Sequence, residues 1–191
     1  DAATYGAGMG TGLSENQLTS YMARVNYSFD NRYLLTVSGR YDGASVLAKG
    51  NKWSFFPSAA LGWRIDQEQF LKDVSWINQL KLRVGFGSTG NAAVGAYNTL
   101  GLIQDFFVPF GSTMVPGYAT NEPYYTSKYV QMANKELGWE KTTQFNYGID
   151  FDFFDGRIGG TLDIYHWNTT DLLLNQTIPT LTGFASRLAN V

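Results

Sequence analysis

The chain of 191 residues contains no cysteine and a single histidine, His166. Without cysteine there are no disulfides, no thiolate metal sites and no thiol nucleophile. His166 has no second histidine, cysteine or carboxylate pair beside it, so no metal site is read there. Charge is scarce too: Asp, Glu, Lys and Arg make up 16% of the chain, with a formal net charge of −2. That balance carries no electrostatic footprint for nucleic acid. Long apolar runs are also missing. No stretch approaches the roughly 18 consecutive apolar residues of a membrane-spanning helix. A mean hydropathy of −0.19 is still compatible with a membrane β-barrel, whose alternating strands hide their apolar half from averages.

What the chain has is alternation, clearest from Tyr33 to Ile65. Tyr33, Leu35, Val37, Gly39 and Tyr41 share one parity, against Leu34, Thr36, Ser38 and Arg40. After a polar interval, Trp53, Phe55, Pro57, Ala59, Leu61, Trp63 and Ile65 resume it. Side chains on a strand point to opposite faces with period 2, so each run has one wholly apolar face. Ser20–Phe29, Leu80–Gly87, Gln144–Phe153 and Ile158–Tyr165 repeat the pattern. Several of these runs match the roughly 9–11 residues that a tilted strand needs to cross a bilayer. The expectation is an all-β chain, a transmembrane antiparallel β-barrel wall of about six strands.

The connections alternate as well. Asp30-Asn31-Arg32 and Phe154-Asp155-Gly156-Arg157 read as tight turns, while 42–52 is a longer loop. Asp66, with Gln69 three residues on, has capping-box spacing and predicts a short helical turn. The segment 90–142 lacks sustained periodicity but is rich in aromatics, which argues against disorder. It is expected to be an ordered extracellular lobe, with Tyr118, Tyr124, Tyr125 and Trp139 as candidate contacts for substrate or a lid. Asn168 to Val191 reads as another long loop. Short turns on one side and long loops on the other are the habit of outer-membrane barrels.

Across the six runs the apolar parity holds no charged residue and no Ser, Thr, Asn or Gln. The other parity carries Arg24, Arg40, Arg64, Lys81, Arg83, Asp150, Asp152 and Asp163. These eight are expected to face a lumen, with the cations on the first four strands and the acids on the last two. Their expected partners are a plug or an opposite stretch of wall. The alternative is a soluble β-sandwich binding module, whose apolar parity would be its core. Strand length, the order of the connections and aromatics at strand ends favour the barrel.

Three motifs carry less than they suggest. Gly85, Gly87 and Gly90 spell G-x-G-x-x-G after a strand, but no helix start follows and no acid stands at the spacing a dinucleotide site needs. Asp150 and Asp152 share a face about 6.6 Å apart along a strand, and a glycosidase pair would need one raised pKa. Nothing apolar on that face supplies one. Asn26, Asn168 and Asn175 head glycosylation sequons, a match that would mean nothing were the chain a bacterial outer-membrane protein. No catalytic, cofactor or metal residue is assigned, and an outer-membrane barrel enzyme lacks any Ser/His or metal constellation.

The segments SYMARVNYSFDNRYLLTVSGRYDGAS, WSFFPSAALGWRI, LKLRVGFGSTGN and LGWEKTTQFNYGIDFDFFDGRIGGTLDIYHWNTTDLLL, with Gly183–Val191, resemble the SusC/RagA-type TonB-dependent outer-membrane transporters. The resemblance covers most of the chain outside the 96–135 loop. It implies a plugged barrel of about 22 strands in the outer membrane. A SusD-like surface lipoprotein would be the lid, the TonB complex the energy source, and oligosaccharides or peptides the cargo. No cofactor is implied. Residues 1–191 would then be part of the barrel, with 90–142 an extracellular loop within it. The start, DAATYGAGMGTGL, has no initiator Met, basic region or apolar core of a signal. The chain is therefore expected to be an internal piece of a longer polypeptide.

Overall fold

The computed structural model describes residues 13–72, 74–100, 104–119, 132–182, 184 and 186–191. Six long strands form one antiparallel sheet: β1 (Leu18–Phe29), β2 (Tyr33–Ala44), β3 (Trp53–Arg64), β4 (Ile77–Asn91), β7 (Glu140–Phe153) and β8 (Ile158–Thr170). Each hydrogen-bonds to the next in that order, so the sheet is a meander with β1 and β8 as open edges. Two hairpins stand apart from it, β5 (Gln104–Phe110) with β6 (Thr113–Ala119), and β9 (Leu173–Thr177) with β10 (Ser186–Asn190).

The tight turns form as their residues dictate. Asp30 and Asn31 take φ of 51° and 52°, a left-handed conformation that Asp and Asn tolerate and a primed hairpin turn requires. The second turn places Phe154 at φ 55°, unusual for a bulky side chain. Its ring stacks on Trp76 at 5.8 Å, and its N–H donates to the Trp76 carbonyl at 2.9 Å. Those contacts hold the strained residue in place.

Register runs unbroken across β1–β2, β2–β3 and β7–β8, so face assignments carry from strand to strand. Val25, Val37 and Ala59 lie side by side, as do Tyr27, Leu35, Leu61 and Val84. This apolar face is uncovered: Val25 is 67% exposed, Leu61 58% and Ile164 63%. No other sheet among the described residues packs on it, as a β-sandwich would require at about 10 Å. Its aromatics gather in two bands. Tyr41 and Tyr21 stack on Trp53 at the long-loop end, and Phe29, Tyr33 and Trp63 form a row at the tight-turn end. Trp53 and Trp63 stand ten residues apart on β3. That is about 33 Å of strand, or about 25 Å of membrane normal at barrel tilt, the height of an outer-membrane apolar band.

The buried core is small and lies at the long-loop end. Ala44, Val46, Leu47 and Ala48 meet Phe56, Leu137 and Trp139 there, with Ala92, Val94, Leu173 and Leu188 against them. Gly90 is required at this point, since a Cβ would lie 2.1 Å from Phe56 Cζ.

Four expectations change. The turn after β3 is a single 3-10 turn, Ile65–Gln67, whose N-cap is Arg64 with no side-chain cap, so the Asp66 capping box does not form. Asp66 instead accepts from Arg64 Nη2 at 3.0 Å and Gln67 Nε2 at 2.7 Å. The G-x-G-x-x-G segment is strand throughout, inside β4. The span 90–142 narrows to 92–139, because β4 runs to Asn91 and β7 begins at Glu140. Residues 168–191 are not one loop: β8 continues to Thr170, and β9–β10 follows.

Candidate functional site

Opposite the apolar face lies a polar one. By register it gathers all eight charges singled out in the sequence, Arg24, Arg40, Arg64, Lys81, Arg83, Asp150, Asp152 and Asp163. Lys81 sits opposite both Arg64 and Asp150, and Arg83 opposite Gly62 and Gly148.

The tightest cluster centres on Arg83. Its Nε and Nη2 donate to both oxygens of Asp150 at 2.9 Å, the bidentate fork that a guanidinium makes with a carboxylate. Nη2 also reaches Asp163 Oδ1 at 3.0 Å, and Thr161 Oγ1 donates to Asp150 Oδ1 at 3.0 Å. Arg83, Gly148 and Asp163 occupy the same rung of β4, β7 and β8. The Arg83–Asp163 contact therefore passes over Gly148, where a Cβ would be 2.5 Å from Asp163 Oδ1. Arg40 pairs with Asp42 at 2.7 Å and Arg64 with Asp66 at 3.0 Å. These partners are neighbours in the wall, where the sequence reading expected a plug or an opposite segment.

Above the polar face, at the long-loop end, the connections join into a lobe. Ala48 N–H donates to the Leu137 carbonyl, Asn51 Nδ2 to the Glu136 carbonyl, and Asn134 Nδ2 to the Leu188 carbonyl. Asn190 receives the Gly138 N–H at 2.8 Å and donates back to the Gly138 carbonyl. Trp139 is part of this joint. It is 7% exposed, meets Phe56 edge-on at 5.4 Å, and donates Nε1–H to the Lys52 carbonyl at 2.9 Å. Tyr118 stands in β6 opposite Asp105, while Tyr124 and Tyr125 lie outside the described residues.

At the tight-turn end, Glu68 collects Tyr33 Oη at 2.7 Å, Trp63 Nε1 at 3.0 Å and Arg32 Nη1 at 3.1 Å. The Tyr33 hydrogen bond, then that of Trp63, outweighs desolvation and holds its carboxyl below the usual glutamate range. Asp66 is pushed up by burial, but the Gln67, Arg64 and Leu80 hydrogen bonds together bring it below the usual aspartate range.

Sequence reasoning overlooked one pair on the polar face. Tyr165 and Trp167 stack at 5.2 Å with 14° between planes, opposite Asn146 and Gln144. Carrying the alternation of β8 past Tyr165 would have found them.

A two-faced meander with aromatic bands, tight turns at one end and a lobe at the other is what a large outer-membrane barrel shows over part of its circumference. The family model described as "TonB dependent receptor-like, beta-barrel" matches residues 2–191. The chain belongs to the TonB-dependent receptor β-barrel family. It is 43% identical over 180 residues to the TonB-dependent receptor SusC of Bacteroides thetaiotaomicron, covering 92% of this chain and 17% of that protein. The TonB-dependent receptor P39 of Formosa agariphila is 38% identical over 182 residues, covering 95% of this chain and 16% of the relative. Among solved structures, the RagAB peptide transporter superposes with a TM-score of 0.76 at 28% identity, over 93% of this chain and 18% of that one. The RagAB peptide importer in its "open-open" state gives the same score over 92% of this chain and 18% of that one. The chain thus spans less than a fifth of the length of these TonB-dependent receptors. With SusC and RagA as relatives, it is a SusC/RagA-type sequence of the outer membrane. The relatives are described as TonB-dependent receptors and, among the solved structures, as a peptide transporter, and the comparison does not favour the soluble β-sandwich.

Proposed function

We propose that this chain forms wall and extracellular rim of a TonB-dependent importer that carries oligosaccharides or peptides across the outer membrane. The observation that carries this reading is the division of one six-stranded sheet into two faces. The uncovered apolar face, banded by aromatics, fits lipid. The opposite face, with its eight charges, is the lumen wall. Arg83 is taken up there by both Asp150 and Asp163, so the one guanidinium of the cluster is not left open to bind an anion.

The lobe at the long-loop end is the extracellular rim. A SusD-like surface lipoprotein is its lid partner, and TonB, acting through the barrel's plug, is its energy source. Tyr118, Tyr124 and Tyr125 remain the candidate contacts for lid or substrate. Trp139 serves them indirectly, by holding the base of the 92–139 connection against Phe56 and Lys52.

The test is uptake in the bacterium that carries the full-length protein. Accumulation of the nutrient should need both the full-length protein and TonB. Uptake that persists without TonB would overturn the reading.

A further inference from the structure

We propose that Tyr165 and Trp167 form a stacking platform on the lumen wall for a neutral sugar ring, with Gln144 and Asn146 reading its hydroxyls. This deepens the importer reading and rests on it. The platform begins from a misplacement in membrane terms. Aromatics at strand ends are expected in the lipid-facing bands, yet these two stand on the face of Asp150 and Asp163. Lipid gives them no reason to be there. Their rings are nearly parallel, and each is 58% exposed.

The neighbourhood carries little charge: Asp163 adjoins Tyr165 on β8, and Glu140 stands four residues from Gln144 on β7. On β4, β7 and β8 the charges Lys81, Arg83, Asp150, Asp152 and Asp163 cluster towards the tight-turn end. Closer to the long loops, those strands present Gly85, Gly87, Thr89, Thr142, Gln144 and Asn146. An open recess of about 290 Å³ reaches from β3 across Gly85 and Gly87 to Gln144 and Asn146, with Ala60 and Phe86 also in its lining and the aromatic pair on the next strand beyond it. Gln144 Nε2 donates to Asn146 Oδ1 at 2.8 Å, so the two amides lie side by side on the strand next to the aromatic pair. Register sets Gln144 directly across from Trp167 and Asn146 across from Tyr165.

A sugar ring offers an apolar C–H face and a rim of neutral donors and acceptors. The first matches an exposed outer face of the stacked aromatic pair and the second matches amides and hydroxyls. A peptide brings charged termini and side chains, while the charged groups that border the platform, Asp163 and Glu140, are both acidic and offer nothing to a carboxylate terminus. The bridged Arg83 cluster nearby is already satisfied by its own partners.

The experiment uses the full-length protein purified in detergent, with calorimetric titration of linear hexasaccharides of α-1,4-glucose, β-1,4-mannose and β-2,1-fructose. A mixed hexapeptide pool is the counter-probe. Variants are Trp167→Ala, Tyr165→Ala and Trp167→Phe, each checked for heat-modifiable folding. At least one saccharide should bind, Trp167→Ala should weaken it by about tenfold, and Trp167→Phe should largely restore it. Failure of every saccharide to bind the wild type, or equal binding by folded Trp167→Ala, overturns the platform, as does binding of the peptide pool alone. TonB-dependent uptake in cells, measured alongside, judges the importer reading separately. It can stand while the platform falls, and its loss in wild-type cells would sink the importer whatever the titration gives.

Discussion

Tyr33 Oη donates to Glu68 Oε1 at 2.7 Å, tying the first residue of a membrane strand to the connection that follows β3. Trp63 and Arg32 converge on the same carboxylate. The polar heads of the tight-turn aromatic band are thus fixed by one acid, while their rings remain on the lipid face. Because the folded protein holds Glu68 below its ordinary value of 4.5, the bonds are complete above that pH and are lost as the pH falls through the lowered value. The apparent unfolding temperature of the full-length barrel should therefore drop in acid below about pH 4.5. Glu68→Ala should lower it at neutral pH and flatten that acid dependence, measured by heat modifiability across pH 3–7. An unchanged acid limb in the variant would remove Glu68 from the account.

The Arg83 cluster depends on a residue with no side chain. Gly148→Ala places a methyl group 2.5 Å from Asp163 Oδ1 and 2.8 Å from Arg83 Cζ and Nη2, so the Asp163 arm should open and the guanidinium should shift, keeping its Nε bond to Asp150. Loss of a half-exposed contact of this kind costs about 0–1 kcal/mol. Gly148→Ala should consequently assemble with only a small loss of stability, and Asp163→Asn in that background should add almost nothing. A double-mutant cycle on the full-length protein measures this.

Gly90 is less forgiving. Its surroundings are the rings of Phe56 and Trp139, not flexible chain ends. Overpacking of this kind costs about 1–3 kcal/mol. Gly90→Ala should loosen the extracellular lobe and raise its cleavage by external protease, with the barrel still resistant to dodecyl sulfate. Equal loss of barrel and lobe would mean that the small core supports both.

The strands and their two faces were legible because period 2 is written into nearly every residue of Tyr33–Tyr41 and Gln144–Phe153. The lobe core was not. Val46, Leu47, Leu137 and Trp139 come from separate connections, each too short to carry a period, and only long-range packing joins them. Asp66 misled because its spacing fits a cap, while the neighbouring Arg64 and Gln67 compete for the same carboxylate. The Tyr165–Trp167 pair was missed because the alternation of β8 was followed only to Tyr165, while the strand runs on to Thr170.

Replacing Ala96–Lys135 in the full-length protein with a short Gly/Ser linker should leave a folded, heat-modifiable barrel that has lost lid docking or uptake. A connection of this length is far longer than joining β4 to β7 needs. Normal growth on the transported nutrient with the lid still bound would make the lobe dispensable.

The side chains themselves should discriminate the faces. Val25→Arg or Leu61→Arg puts a cation among exposed apolar neighbours, at about 2–4 kcal/mol near the bilayer midplane. Asn26→Lys and Ser58→Lys lie on the opposite face and should be tolerated. Outer-membrane folding assays should separate the two sets, and equal damage from both would contradict the assignment.

The most direct measurement uses the absence of native cysteine in this chain. Single substitutions Val25→Cys, Leu61→Cys and Ile164→Cys, against Asn26→Cys, Ser58→Cys and Asp163→Cys, are spin-labelled in an otherwise cysteine-free full-length protein in lipid bilayers. Relaxation by oxygen, which concentrates in lipid, should dominate for the first three. A water-soluble nickel chelate should dominate for the last three. The reverse pattern, or labels at Val25, Leu61 and Ile164 shielded from both reagents as in a protein core, would contradict the lipid-facing wall.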